Sequence, residues 1–295
     1  MGRLLVHTKD QVAVPVRVFE MGDAPWAVVV ISPATEVPQR SYAPFALWLA
    51  QWGIRVVTYD YRGLGDARPP SLRGFPATLD GWAEDARAVM RFASRAAGRS
   101  PVVLVGHGFG GQLLGLVDEM DRAAGAVVVG PALDPAREAP LRALYSKFVL
   151  VPLVTRLTGY LPAWAGPGVD LPAGVARDWG RCVRRPGCLM GSPEESRLRR
   201  FRAPVLAYSF AADDRSPASG VKKLLSRLGT KRLKHRRLDR AALGRLVPGS
   251  LGVFGPELAD RYWPEVLAFV RQVAIREARA RSAWTLPNAA SASSH

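Results

Sequence analysis

Residues 102–115 read VVLVGHGFGGQLLG, and two chemistries compete for them. Gly106, Gly108 and Gly111 satisfy G-x-G-x-x-G, a strand–turn–helix that holds a pyrophosphate at a helix N-terminus. With Ser in place of Gly108 the stretch would become G-x-S-x-G, a sharp turn that lifts a serine nucleophile off a strand end. The phosphate reading needs the turn in the first βαβ unit and an acid at the end of the next strand. Here several strand-like runs come first. The next run ends GAVVVG, and Asp134 lies beyond Pro131. The context for a dinucleotide is missing; in the nucleophile reading the central residue has only a hydrogen for a side chain and cannot attack a carbonyl.

Few other residues could take over. His107 flanks the turn, where a side chain normally points into the protein, so a structural role is expected. His235 sits on a basic strand, and His7 and His295 lie near the termini. Cys182 and Cys188 are six apart, with no histidine placed to activate either thiol. No His/Cys/Asp/Glu set has zinc-ligand spacing. Neither a metal nor a cofactor is expected.

The elements that must position these residues are legible as alternating patterns. QVAVPVRVFE (11–20) alternates with period two, while AVVVIS (27–32) and IRVVTYD (54–60) are β-branched runs of the buried-strand kind. SYAPFALWLAQWG (41–53) has helical spacing and stops on Gly53. A helix near 77–97, a strand at 101–106, a helix near 109–120 and a strand at 125–130 follow. Residues 135–202 break the rhythm with prolines, glycines and arginines. The pattern returns with APVLAYSF (203–210), a helix at 217–228, a basic strand near 231–238 and a last helix near 257–277. Such alternation predicts an α/β fold, a mostly parallel central sheet with helices on both faces. The expected division is a core from 1–134 and 203–281, an inserted helical cap at 135–202 and a small, polar, disordered tail at 282–295.

The chain has 295 residues, 48% of them hydrophobic, enough for one large core. No apolar run is long enough to cross a membrane, and MGRLLVHTKD has no secretory apolar segment. A cytoplasmic protein is expected. The formal net charge is +16, and only six of the 41 basic residues are lysine. Basic residues cluster at 177–202 and 222–240 and could contact nucleic acid or an anionic surface, although no nucleic-acid-binding motif is present.

Several stretches taken together carry a resemblance: SPATEVPQRSY (32–42), YDYRGLGDARP (59–69), GHGFGGQ (106–112), DLPAGVARDW (170–179), APVLAYSFAADD (203–214) and PGSLGVF (248–254). Over roughly residues 10–275 the chain resembles the α/β-hydrolase superfamily, in particular its serine-aminopeptidase-like hydrolases. The resemblance implies an α/β-hydrolase fold and assigns positions to a Ser–His–Asp triad. The nucleophile position falls on Gly108, the base position on Ser250, and the acid position on Asp213, with Asp214 a close alternative. The oxyanion hole would use Phe109, Ala34 and Thr35, and Glu36 stands where the family tends to have glycine. A serine cannot serve as a general base near neutral pH. The expectation is a degenerate triad in a non-catalytic binder of a small apolar or acyl ligand under the cap, or of a partner protein. The alternatives are an active ester or amide hydrolase with a non-standard arrangement and a charge-driven binder of nucleic acid or anionic surfaces.

Overall fold

The structure is a computed structural model and describes residues 2–131, 150–166, 168–184, 195–210, 218–239 and 250–285. Along the chain run β1 (Gly2–His7), β2 (Ala13–Phe19), β3 (Ala27–Ser32), α1 (Ala43–Gln51), β4 (Ile54–Tyr59), α2 (Leu79–Ala97), β5 (Val102–His107), α3 (Phe109–Gln112) and β6 (Gly125–Val129). After them come α4 (Val151–Thr158), the short strands β7 (Tyr160–Leu161) and β8 (Leu171–Pro172), α5 (Ala173–Arg184) and α6 (Glu195–Leu198). The chain then forms β9 (Val205–Phe210), α7 (Ala218–Leu225), β10 (Leu233–Leu238) and α8 (Ala259–Thr285).

Eight strands form one sheet in the order β1-β2-β4-β3-β5-β6-β9-β10. The β1/β2 and β2/β4 pairs are antiparallel, and every pair from β4 to β10 is parallel. Strands β3 to β6 and β9 are buried along their whole length except at Arg55, which explains their unbroken apolar runs. Successive residues face opposite layers. Val28 and Val30 pack with Trp82, Ala86 and Val89 of α2 on one face. Val29 and Ile31 pack with Phe45 and Leu49 of α1 and Trp263, Val266 and Val270 of α8 on the other.

Helix α2 starts on Thr78, whose hydroxyl accepts from Gly81 N–H at 3.1 Å. Between β6 and β9, α5 closes onto the start of α2, where the Asp178 carboxylate accepts from Leu79 N–H at 3.0 Å.

Three differences from the sequence expectation stand out. The helix expected over 109–120 is only one turn, followed by 3-10 turns at Leu113–Gly115 and Asp118–Arg122. Gly110, Gly111 and Gly115 are poor helix formers, and Val117 is extended. Strand β1 lies where no strand was expected, because at the sheet edge it is exposed at five of its six positions and lacks alternation. Helix α8 runs to Thr285, beyond the expected end near 277. The segment between β6 and β9 also holds the β7/β8 hairpin beside its helices.

Candidate functional site

Strand β5 ends on His107, the chain turns at Gly108, and α3 begins at Phe109. Gly108 has φ 50° and ψ −113°, a region open to glycine and strained for residues with a side chain. Its N–H donates to Val129 O at 2.8 Å, which ties the turn to β6. The turn also lies hard against the end of β3: a Cβ on Gly110 would collide with the Ser32 carbonyl oxygen. A Cβ on Gly108 would lie 3.1 Å from the Cβ of Ala34, so this turn faces the loop after β3.

Three buried tyrosine hydroxyls hold that loop. Tyr59 OH donates to Ser32 Oγ at 3.0 Å, and Tyr61 OH donates to Pro33 O at 3.1 Å. Tyr42 OH instead accepts from Ala34 N–H at 3.1 Å. One amide assigned to the oxyanion hole therefore already has a protein partner. Thr35 is buried beside it, at 3% exposure. Phe109, the first residue of α3, has no intrahelical acceptor for its N–H, and its ring packs on Tyr61 and Trp82.

Ser250 opens a 3-10 turn, Ser250–Phe254, on the opposite side of His107. The turn is anchored by Trp263 of α8, whose indole N–H donates to Val253 O at 2.8 Å. Phe254 packs edge-on to Tyr42 and Phe45 and lies 5.2 Å from the His107 ring centre. His107 Nε2 is 2.8 Å from Ser250 Oγ, and its Nδ1 is 2.8 Å from Tyr42 OH. Ser250 therefore meets the chain neighbour of Gly108, through a histidine that the sequence suggested was structural.

The proton positions in this chain follow from counting. The Tyr42 oxygen accepts from Ala34, and its own buried proton needs an acceptor, which His107 Nδ1 supplies. The imidazole proton then sits on Nε2 and donates to Ser250 Oγ. In a working triad that nitrogen must be unprotonated so that it can take the serine proton. Burial pushes His107 down to about 3, so it is neutral at pH 7. Burial also pushes the Tyr42 phenol well above its usual range, and the nearby Glu36 and Asp60 charges add to the rise.

The loop after β4 is built into the core. Asp60 accepts from Gln39 N–H at 2.7 Å and Asp66 N–H at 2.8 Å, and Arg62 binds Asp85 at 2.7 Å. His235 bonds Ser209 at 2.8 Å on the outer strand pair. Asp213, Asp214, Cys188 and His295 lie outside the described residues. Among the described residues no group of three or more His, Cys, Asp or Glu could hold a metal ion. Tyr42 was not singled out from the sequence. It lies within the quoted stretch 32–42, but nothing in its spacing signals a hydroxyl that reaches both Ala34 and His107.

A family profile described as "Serine aminopeptidase, S33" matches residues 23–179, more than half of the chain. The chain belongs to the serine aminopeptidase S33 family. No curated protein matches it. Among solved structures, a thermophilic esterase from Thermogutta terrifontis superposes with a TM-score of 0.64 at 17% identity, over 93% of this chain and 100% of that one. A soluble variant of monoglyceride lipase from Saccharomyces cerevisiae gives 0.66 at 12% identity, over 88% and 92%. An esterase from Exiguobacterium antarcticum gives 0.60 at 14% identity, over 92% and 100%. At these identities the likeness is one of fold, and the eight-stranded sheet is an α/β-hydrolase sheet. Gly108 sits at the turn between β5 and α3. No described helix is long and apolar enough to cross a membrane.

Proposed function

We propose that this S33-family chain has given up serine-nucleophile chemistry and works as a binder of a small apolar or acyl ligand, held beneath the segment between β6 and β9. The observation that carries the reading is Gly108, in the elbow conformation with φ 50° and no side chain to attack with. Two further features support it. The His107 nitrogen that faces Ser250 carries a proton, and the Ala34 amide is already bound by Tyr42. A transition state would thus find neither an activated nucleophile nor a complete pair of oxyanion donors. A fluorophosphonate probe, which reports activated serines, should leave the purified chain unlabelled, while a fluorescent fatty-acyl probe should bind and be displaced by unlabelled acyl chains. Stoichiometric fluorophosphonate labelling would overturn the proposal.

A second reading rests on the 2.8 Å contact between Ser250 Oγ and His107 Nε2. A serine beside an imidazole is the minimal nucleophile–base pair, and it would make the chain an ester or amide hydrolase with Ser250 as its nucleophile. Against it stand the proton on Nε2 and the weakness of a base whose pKa lies at about 3. The labelling experiment separates the two readings, since a label on Ser250 would favour the second.

A further inference from the structure

The two basic stretches of the sequence meet in space. A cleft of about 720 Å³ lies between the segment that leads from α6 into β9 and the segment that leads from α7 into β10. Among the described residues lining it, five are cations, Arg199, Arg202, Arg227, Lys231 and Arg232, and none is acidic. Ser226 adds a hydroxyl. The walls are fixed to each other: Gly229 N–H donates to Leu198 O at 3.3 Å, and a Cβ on Gly229 would collide with the Arg199 carbonyl.

Among the described residues, most of this charge meets no carboxylate. Nearby cations find partners: Lys234 and Arg236 share Glu265 at 2.6 and 3.1 Å, and Arg200 reaches Asp118 at 3.7 Å. Arg199, Arg202, Lys231 and Arg232 have no carboxylate partner among the described residues. Like charges held on two fixed walls repel each other, and an anion placed between them removes that repulsion. Four of the five cations are arginine, whose planar fork meets two oxygens of one phosphate at once.

We propose that this cleft is a binding site for a compact ligand carrying two or more linked phosphate groups. The size lies within the roughly 300–1,000 Å³ usual for small-ligand clefts. Among the described residues the lining has no aromatic ring on which nucleobases could stack, so recognition falls on the phosphates. The cleft is also separate from Gly108 and Ser250. Its residues precede β9 and β10, whereas the elbow follows β5, and these strands are parallel. The two places therefore lie at opposite ends of the parallel strands.

The test is calorimetric titration of the full chain with sodium tripolyphosphate, with orthophosphate and a short DNA duplex as comparison probes. Tripolyphosphate should saturate one site and bind more tightly than orthophosphate by about tenfold or more. The double variant Arg202→Ala/Arg232→Ala should weaken it by about tenfold or more, while Arg3→Ala/Arg279→Ala, which removes the same net charge elsewhere, should change it less than about twofold. In the unmutated chain, tripolyphosphate should protect Lys231 from amine acetylation, a readout that does not depend on how any variant folds. Absence of saturation, equal losses in both double variants or an unprotected Lys231 would overturn the proposal. So would a DNA duplex that binds the cleft more tightly than tripolyphosphate and loses that binding only in the Arg202/Arg232 variant, since the occupant would then be nucleic acid.

Discussion

Gly108 is comfortable where a serine would not be. At φ 50° a Cβ is strained, and this one would press on the Ala34 Cβ at 3.1 Å. Gly108→Ser should therefore lower stability by about 1–3 kcal/mol, read from denaturant midpoints at constant slope. Alone it should hydrolyse p-nitrophenyl esters no faster than the unmutated chain. Adding Ser250→His should raise the rate above either single change, because nucleophile and base act as a unit. A further Tyr42→Phe frees the Ala34 amide and should raise the rate again by about tenfold or more, within what one oxyanion donor supplies. An inactive triple variant would mean that Ser250 does not hold the base position. His107 gives a separate pH test. Its folded-state value of about 3 lies below the unfolded value of 6.5, so the unfolded chain binds the proton first. The stability it contributes is complete above pH 6.5 and is lost as pH falls towards 3. At pH 5 the loss is about 2 kcal/mol, and His107→Gln should flatten the stability profile between pH 5 and 7 by roughly that amount. At this scale the sequence pointed to Gly108 and Ser250, and the structure brings Ser250 to His107, the neighbour of Gly108. The sequence did not reveal Tyr42, because a hydrogen-bond chain across 65 residues leaves no periodic trace.

The elements were easiest to read where burial imposes a pattern. AVVVIS became β3 residue for residue, since both of its faces are covered. The open edge strand β1 and the broken turns after α3 were not readable. The first lacks a buried face, and in the second Gly110, Gly111 and Gly115 break a helix that the apolar spacing suggests. Helix α8 matters beyond its own packing, because Trp263 fixes the turn that presents Ser250. Trp263→Phe keeps much of the ring contact with Phe45 and Trp48 but leaves Val253 O without its donor. It should cost about 1–3 kcal/mol and speed hydrogen exchange in residues 250–254 more than in β5. Equal exchange in the two segments would show that the turn is held by something other than the indole.

For the whole molecule, a net charge of +16 means self-repulsion across the folded surface. Moderate sodium chloride should raise the thermal midpoint by a few degrees as screening shortens the reach of those charges to about 10 Å or less. A midpoint that falls with salt would place the favourable ion pairs, such as Arg87 with Glu119 at 3.0 Å, ahead of the repulsion. The fold class was legible at this scale because strand–helix alternation is periodic. The cleft was legible only as two basic runs, since nothing in a linear sequence says that 199–202 and 226–232 become neighbours. The parallel sheet also has an evolutionary consequence. A lineage can let the elbow at one rim drift while selection acts on the other rim, because a rigid interior of β-branched residues keeps substitutions at the two ends additive. A descendant can thus inherit the scaffold of an enzyme, discard its reaction and still be conserved for an ancestral or acquired trait written on the far side of the same strands.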